Sequence, residues 1–466
     1  MRQEPSGGMG PHTVRGGSPD PPRRNFSTAA KICVLAAGQE TRRARPANRA
    51  FQRRLLAWFR ANKADLPWRR TRDPYAIWVS EIMLQQTQVA TVIPYYRRFL
   101  KAFPTVRAFA AASEHDVLKL WQGLGYYRRA INLRAAARQV VAKHGGHVPD
   151  DPAVFAGLPG IGRYTCAAVQ SIAFGRPLAI LDGNAIRVFA RCFAITKDVT
   201  RGAVQRELWE VAQSLVPQTP PPGHAGARHA APLQEAGWHG HPTLGGRAVS
   251  FLAARTVTQK RVTVPPLPAN NPGDWNQALM ELGREVCTPR APRCPACPVR
   301  TLCLARRRGI QGRLPVKRKK KPVPHIEVGA GIVWRRGRIL LCKRRADAML
   351  GGLWEFPGGK RDPGETIPQC IRRELREECD LDVAVGQHLV DVTHTYSHLR
   401  VTLRCYHCRA GAGRVRRLGC DDARWVRPQE IAEYPLPAAD VRILEALGVG
   451  QPRHRGRNTR SPPAPR

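Results

Sequence analysis

The stretch from residue 158 to residue 184, LPGIGRYTCAAVQSIAFGRPLAILDGN, constrains the fold more than any other part of the chain. Its two glycines, Gly160 and Gly162, permit a tight turn, and an apolar helical segment follows directly. The free main-chain N–H groups of a turn that opens a helix form an anion site. A glycine, a proline and an apolar run then lead to Asp182. The pattern predicts a helical hairpin with an anion-binding turn, followed by a carboxylate.

Length and charge limit the class of protein and the kind of partner that it can have. At 466 residues the chain is expected to form two or more domains. The formal net charge of +41 indicates a polyanionic partner, most simply nucleic acid, although Arg-rich composition also accompanies GC-rich coding sequences. No segment has the roughly 18 apolar residues of a membrane span. We expect a monomer without a membrane partner in the bacterial cytoplasm, associated with the nucleoid. The basic start of the chain leaves organelle targeting as an alternative.

Periodicity predicts two domains, a helical one over residues 49–305 and a strand-rich one over residues 326–450. Segments without sustained periodicity, rich in Pro, Gly and Arg, are found at 1–48, 217–271, 306–325 and 451–466. We interpret segments 1–48 and 451–466 as disordered and segment 306–325 as a basic linker that lies along the DNA duplex. The internal segment is either a disordered insertion or an artefact of the gene sequence, because a structureless loop of that length is improbable in a compact domain.

The segment PYAIWVSEIMLQQTQ, residues 74–88, predicts a helix with Ile77, Glu81, Leu84 and Gln88 on one face. A carboxyl among apolar groups has a raised pKa and can hold a proton near neutral pH. Glu81 and Asp182 would then form a pair of carboxyls in different environments, as in enzymes that cleave glycosidic bonds.

The strings LPWR at 66–69 and SEIMLQQTQVATVIPYY at 80–96 closely resemble the MutY-type adenine DNA glycosylases. The stretch from residue 158 to residue 184 is similar to the helix-hairpin-helix signature of the wider glycosylase superfamily. The resemblance implies that Glu81 protonates adenine, that Asp182 stabilises the sugar cation, and that Tyr164 and Asn184 help to position the sugar. It also implies a wedge at Tyr126 in WQGLGYYRR, where an aromatic ring would unstack the duplex. Further DNA contacts are implied at Arg69, Gln86, Gly160, Gly162 and Gln277.

Tyr164 separates two branches of that superfamily. In the endonuclease III type, the matching residue is a lysine whose amine forms a Schiff base with the sugar. A tyrosine cannot form one, so the resemblance implies base removal without efficient strand cleavage.

Four cysteines, Cys287, Cys294, Cys297 and Cys303, are separated by six, two and five residues. Four thiolates at this spacing suit a [4Fe–4S] cluster, and zinc is the alternative ion. The spacing after a helix resembles the cluster loop of the same family, where the cluster is structural and binds DNA. This resemblance favours iron–sulfur.

The strand-rich domain opens with GAGIVWRRGRILLCKRR, which predicts a hairpin around residues 336–337. The next run, GGLWEFPGGKRDPGETIPQCIRRELREECDL, resembles the Nudix box of nucleotide pyrophosphohydrolases. MutY-type enzymes usually carry an eroded box, whereas the pattern here is nearly complete. Asp380 replaces its last glycine, but Asp tolerates a positive φ. The pattern falls on Gly359, Glu365, Arg373, Glu374, Glu377 and Glu378.

Glu374, Glu377 and Glu378 fall within one arc of the predicted helix. Crowded carboxylates repel one another, and Mg²⁺ would relieve that repulsion while gathering nucleotide phosphates. A solvated acidic helix inherited from an ancestor is the other interpretation.

Two further motifs occur in this domain. Tyr396, Ser397 and His398 resemble the family's Phe-Ser-His loop, which implies recognition of 8-oxoguanine opposite the target adenine. Cys405 and Cys408 form a lone C-x-x-C in a strand-like run, and we interpret them as structural rather than zinc ligands.

The sequence therefore predicts an all-α helix-hairpin-helix glycosylase domain with a [4Fe–4S] loop, joined to an α+β Nudix-like domain. The expected function is hydrolysis of the N-glycosidic bond of adenine mispaired with 8-oxoguanine or guanine in double-stranded DNA. Two alternatives remain: a related mismatch glycosylase with another base specificity, and a nucleotide pyrophosphohydrolase joined to a DNA-binding module.

Overall fold

The computed structural model describes residues 41–218, 271–318, 322–396 and 399–449. By its internal contacts the chain divides after Phe51, within helix α1 (Thr41–Asn62). Helix α1 begins inside the predicted disordered extension, so the predicted boundary at residue 48 is wrong. Its first turns are rich in Arg and Ala, and the high helix propensity of these residues needs no apolar periodicity. The predictions for residues 1–40 and 451–466 lie outside the described residues.

The helical part of the chain is built from short helices joined by tight connections. In chain order they are α2 (Pro74–Leu84), α3 (Val89–Ala102), α4 (Val106–Ala111), α5 (Glu114–Trp121), α6 (Arg128–Lys143), α7 (Pro152–Ala156), α8 (Arg163–Phe174), α9 (Gly183–Cys192), α10 (Gly202–Leu215), α11 (Pro272–Glu285) and α12 (Leu304–Arg307). None of the described helices has the length and apolar character needed to cross a bilayer.

Helix α2 is buried along most of its length, because every residue from 75 to 83 lies inside the helical core. Asp73 caps its first turn by accepting a hydrogen bond from the Tyr75 N–H. The helix ends at Leu84, so Gln88 does not share a face with Glu81 as the periodicity predicted. Gln88 instead stands at the N-terminus of α3.

The segment predicted as an insertion, 217–271, is shorter at both ends than the sequence indicated. Residues 217, 218 and 271 belong to the described structure. Asn271 is buried, and its side chain accepts a hydrogen bond from the Gly273 N–H at 2.8 Å, which caps α11. The predicted boundary at residue 271 is therefore wrong, and residues 219–270 lie outside the described structure.

The C-terminal part is a mixed sheet. Its strands are β1 (His325–Arg335), β2 (Arg338–Lys343), β3 (Trp354–Glu355), β4 (Gly358–Lys360), β5 (Val383–Thr395), β6 (Arg400–Ala410) and β7 (Asp422–Val426). The strand order is β3-β2-β1-β6-β5, with β4 beside β1 and β7 beside β2. Strands β1 and β6 are parallel, and β1 and β2 form the predicted hairpin with Arg335 opposite Arg338.

Two helices cover the two faces of this sheet: α13 (Ile367–Cys379) and α14 (Ala438–Ala446). Successive residues of β2 point to opposite faces, so Leu340 packs in the core that contains α13 and Leu341 in the core that contains α14. A strand buried on both faces has a nearly continuous apolar sequence. This explains the unbroken run of Ile339, Leu340 and Leu341.

The helical and sheet parts contact each other directly, beyond the basic segment that connects them in sequence. The hydroxyl of Tyr127 donates to the main-chain carbonyl of Leu436 at 3.3 Å, and the Lys119 ammonium donates to the carbonyl of Ala432. Leu353, from the sheet part, is fully buried in the core of the helical part. The two parts therefore share an interface that the interpretation of 306–325 as a linker did not predict.

Candidate active site

Glu81 lies in α2 and is only 3% exposed, so the structure places it among apolar groups as the sequence predicted. The Tyr164 hydroxyl, on α8, is 3.1 Å from its Oε2 and 3.2 Å from the sulfur of Met280. Burial raises the pKa of Glu81 to about 7, the Tyr164 hydrogen bond opposes that rise, and the negative charge of Asp182 adds to it. Glu81 therefore holds a proton on a substantial fraction of molecules at neutral pH.

Asp182 stands in a different environment at the N-terminus of α9. Its Oδ1 accepts a hydrogen bond from the Ala185 N–H at 2.7 Å, and its Oδ2 accepts one from the Asn184 amide at 2.8 Å. Asp182 therefore faces the positive end of the α9 dipole and accepts two N–H hydrogen bonds. The site thus pairs a buried acid with a half-exposed, hydrogen-bonded carboxylate.

The position of Asp182 is fixed by close packing between α9 and α11. Arg187 donates to the Asn184 side-chain oxygen at 2.8 Å and to the carbonyls of Gly283 and Cys287 at 2.6 Å each. A Cβ atom on Gly283 would lie 2.5 Å from the Asn184 Cβ and 2.9 Å from its Cα. Only glycine permits this approach, and no signal in the sequence identified Arg187 or Gly283.

The turn between α7 and α8 has the conformation expected of a helical hairpin. Gly160 has a φ of +76°, and a Cβ there would lie 2.7 Å from the Asn132 Cβ. Gly162 caps α8 without any side-chain hydrogen bond, so the first main-chain N–H groups of α8 remain available to an anion. Both glycines therefore suit the phosphate contact that the resemblance implied.

The predicted wedge Tyr126 is 43% exposed with a φ of +51°, and Gln86 also has a positive φ. Arg129, which no sequence motif singled out, supports both loops. Its guanidinium donates to the carbonyls of Met83, at the end of α2, at 2.9 Å and of Gly125 at 3.0 Å. Burial lowers the pKa of Arg129 to about 10, and the guanidinium remains charged at neutral pH. Its only signal in the sequence was the basic pair of residues 128–129.

Arg69 and Gln277 are not displayed on a free surface. The Arg69 guanidinium donates to Gln277 Oε1 at 3.1 Å and forms an ion pair with Glu281 at 2.7 Å. Both partners of that ion pair are largely buried. The structure therefore places these two predicted DNA contacts in a network between the segment after α1 and helix α11, where they fix the helix beside the site.

Cys287, Cys294, Cys297 and Cys303 line one small cavity next to α9 and α12. Arg191, which is fully buried, donates to the carbonyls of Thr288 at 2.7 Å and Pro289 at 2.9 Å. Its Nη1 also lies 3.3 Å from the Cys287 sulfur. Four thiols around one cavity, with a cation beside one sulfur, fit a group bound by four thiolates.

Comparison with known proteins decides the family. Residues 79–214 match the model of the HhH-GPD superfamily base excision DNA repair proteins, and residues 329–446 match that of the NUDIX domain. An adenine DNA glycosylase from Rattus norvegicus is 35% identical over 450 residues, which cover 85% of this chain and 77% of the relative. One from Homo sapiens is 33% identical and covers 86% and 75% of the two chains.

The chain belongs to the adenine DNA glycosylases. Its predicted fold class is confirmed: a helix-hairpin-helix domain precedes a Nudix-like domain. A solved thermostable thymine-DNA glycosylase is 26% identical, with a TM-score of 0.42, and covers 57% of this chain and 99% of its own.

In the Nudix-like domain of this adenine DNA glycosylase, the three carboxylates predicted to crowd on α13 do not form one uncompensated cluster. Arg373 donates to Glu374 at 2.9 Å, to Glu377 at 3.2 Å and to Glu365 at 3.0 Å. Glu378 lies outside this network, and burial, with the charges of neighbouring carboxyls, raises its pKa to about 8.

The expected opposite-base loop of the adenine DNA glycosylase is described only in part, because Ser397 and His398 lie outside the described residues. Tyr396 is half-buried, and its ring meets that of His394 at 4.5 Å between centroids. Cys405 and Cys408 pack in the two opposite cores of the sheet, so they cannot bind one ion together.

Proposed function

We propose that Glu81 and Asp182 divide the work of cleaving the N-glycosidic bond of adenine mispaired with 8-oxoguanine or guanine. The observation that carries this assignment is the contrast between their environments. Burial raises the pKa of Glu81 to about 7, whereas Asp182 is held by two N–H donors at a helix N-terminus. Two carboxyls with such different surroundings serve as a general acid and an anion.

Adenine must leave the base stack before this pair can reach its glycosidic bond. The turn at Gly160 and Gly162 would bind a phosphate, and Tyr126 would occupy the gap in the duplex. Glu81 then donates its proton to adenine, at N7, which makes the base a leaving group as the bond to the sugar breaks. The Asp182 carboxylate stabilises the cationic sugar until a water molecule attacks it.

Tyr164 lacks the amine that would trap the sugar as a Schiff base, so the product is an abasic site in an intact strand. Its hydroxyl donates to Glu81, so its role is to orient and tune the acid as well as to contact the sugar. Asn184 acts on Asp182 in the same way, through the hydrogen bond at 2.8 Å.

Cys287, Cys294, Cys297 and Cys303 would hold a [4Fe–4S] cluster, which supplies a rigid structural centre for the loop when bound. The loop is tied to the active site through Arg187, which contacts both the Cys287 carbonyl and the Asn184 side chain. Cluster loading and the position of Asp182 are therefore coupled.

We further propose domains at 49–305 and 326–450 joined by the basic linker 306–325, with the corrections given above.

The test is incubation of the protein with duplexes that hold adenine opposite 8-oxoguanine, guanine, thymine or cytosine, with hot alkali to reveal abasic sites. We expect alkali-dependent cleavage with the first two and no cleavage without alkali. Asp182→Asn and Glu81→Gln should each lose at least about 100-fold in rate, because each removes a group needed mainly in the transition state. Mismatch binding should change little. Substantial turnover by either variant would contradict these roles.

Recognition of the opposite base is proposed to involve Ser397 and His398, with Tyr396 beside them. Loss of polar readout costs about 1–3 kcal/mol for each good contact. Ser397→Ala combined with His398→Ala should therefore reduce the preference for 8-oxoguanine over guanine more than it reduces activity on either. An unchanged ratio would place the recognition elsewhere.

A second activity, nucleotide pyrophosphohydrolysis, is supported by the nearly complete Nudix box and by the match of residues 329–446 to the NUDIX domain model. A metal ion would have to replace Arg373 as the partner of Glu374 and Glu377. Glu374, Glu377 and Glu378 would supply the oxygen ligands that Mg²⁺ requires. The full chain should release pyrophosphate from a panel of nucleoside triphosphates, oxidised dGTP included, in the presence of Mg²⁺. Glu377→Gln should abolish that release. No release from any nucleotide would show that the box is a relic.

A further inference from the structure

Three cysteines that take no part in the proposed reaction meet inside the Nudix-like domain. Cys342 lies in β2, Cys379 is the last residue of α13, and Cys420 lies shortly before β7. Their sulfur atoms all lie within 4.8 Å of one another, and those of Cys342 and Cys379 are 3.5 Å apart. Three elements that are distant in sequence thus bring three thiols together.

These separations match those of thiolates that share one metal ion. Zinc binds thiolate sulfur at about 2.3 Å, so two sulfurs at tetrahedral positions lie about 3.8 Å apart. The three thiols would therefore need only small movements to bind one ion. A disulfide between two of them would leave the third thiol without a role.

The main chain holds the third thiol in place. The N–H groups of Leu418 and Gly419 donate to the carbonyl of Glu378 at 2.9 and 3.1 Å, and the Asp421 N–H donates to the carbonyl of Lys343 at 2.9 Å. The loop that carries Cys420 is thereby fixed to the end of α13 on one side and to β2 on the other. A Cβ on Gly419 would lie 2.9 Å from the Glu378 Cγ, so a side chain there would push the loop outward.

The surroundings favour a cation. Cys379 lies at the C-terminal end of α13, where the helix dipole is negative. The carboxyls of Glu355 and Glu378 lie near enough to Cys420 to interact with it electrostatically, and Glu355 is paired with Arg344. A divalent ion held by three thiolates would neutralise part of their charge.

We propose that Cys342, Cys379 and Cys420 form a thiolate site for a zinc-like divalent cation. The fourth position of the ion belongs to water, and the thiol protons leave to solvent on binding. The bound ion joins the end of α13 to the sheet. The site is separate from the four cysteines of the helical domain and independent of the glycosylase reaction.

The full-length protein, purified with its iron and supplied with zinc, provides the test. Zinc and iron are measured in the same sample by mass spectrometry, and zinc K-edge X-ray absorption counts the sulfur neighbours of zinc without interference from iron. We expect wild type to bind one more zinc than Cys420→Ser, with three sulfurs at about 2.3 Å. The iron content per chain should be the same in the two proteins. Cys408 is buried but is not one of the three grouped thiols, so Cys408→Ser should bind zinc like wild type.

A second measurement needs no variant. Cys420 is half-exposed, so an alkylating reagent should label it in the wild-type protein, and zinc should slow that labelling at least tenfold. Equal zinc in wild type and Cys420→Ser, a zinc coordination shell without sulfur, or labelling that zinc does not slow would each overturn the proposal.

Discussion

Tyr164→Phe removes the hydroxyl that donates to Glu81 at 3.1 Å and leaves the ring in place. The bond holds down the pKa of Glu81, because it stabilises the ionised carboxylate. A hydrogen bond to a charged group is worth about 1.5–3 kcal/mol, and one between neutral groups about 1 kcal/mol. The difference of about 0.5–2 kcal/mol corresponds to a pKa change of roughly 0.4–1.5 units. The variant should therefore raise the pKa of Glu81 from about 7 to about 8.

The sign of the effect on activity follows from which form reacts. In the mechanism that we propose, the protonated form of Glu81 is the active acid, so adenine release is expected at full rate below its pKa and falls tenfold per pH unit above it. At pH 8, wild type should keep about a tenth of its low-pH rate, whereas Tyr164→Phe should keep about half of its own. The maximum rate of the variant should be lower, because an acid with a higher pKa is a weaker proton donor.

The assay is adenine release from a duplex with adenine opposite 8-oxoguanine, followed across the neutral range by alkali cleavage. Rates are taken at subsaturating enzyme and high salt, because the second-order rate constant reports the pKa of the free enzyme and salt weakens DNA binding. Tyr75→Phe is the matched control, since its buried hydroxyl donates to the Phe103 carbonyl and does not contact Glu81. A falling limb that stays in place or moves to lower pH in Tyr164→Phe would refute the reasoning.

Three further predictions test how the site is held. Gly→Ala in a helix normally stabilises, but Gly283→Ala should destabilise the fold by about 1–3 kcal/mol and reduce adenine release, because the new Cβ would collide with Asn184. Thermal unfolding is the measurement. Gly202→Ala in α10 is the control, since the nearest atom to a Cβ there is 3.8 Å away. Arg191→Lys should cost about 3 kcal/mol or more and lower the iron content per chain, since a lysine cannot bond all the carbonyls that the buried guanidinium reaches; full iron content would contradict this. Replacing residues 219–270 with a short Gly-Ser linker should preserve the fold, the iron content and the activity. A replacement that also removes Asn271 should lose about 1 kcal/mol of stability, because Asn271 caps α11. A soluble, iron-loaded but inactive deletion protein would show that the segment has a role.

Residues whose signal is local could be predicted from the sequence. The burial of Glu81 followed from apolar spacing along one helix, and the turn at Gly160 from two glycines before an apolar run. The hairpin at residues 336–337 followed from strand-like apolar runs on both sides of an Arg-Gly turn. Each of these depends on neighbours in the chain, so a window of a few residues carries the information.

The predicted boundaries of helices and segments were less accurate, because they depend on signals other than apolar spacing. Helix α1 starts at Thr41 because Arg and Ala favour a helix without an apolar stripe, and Asn271 belongs to α11 because it caps the helix from outside. In both cases the predicted boundary followed from apolar periodicity, which does not report helix propensity or capping.

The sequence by itself determined the family and the fold class and predicted the pair of carboxyls, because the motifs that carry them are contiguous or regularly spaced. Only the tertiary structure decided what surrounds those groups. In the structure the Tyr164 hydroxyl donates a hydrogen bond to Glu81, and Arg69 forms a largely buried ion pair with Glu281. The sulfur atoms of Cys342, Cys379 and Cys420 lie close enough together to bind one ion. These contacts join residues far apart in the chain, and the charge, burial and distance that set their chemistry exist only after the chain has folded.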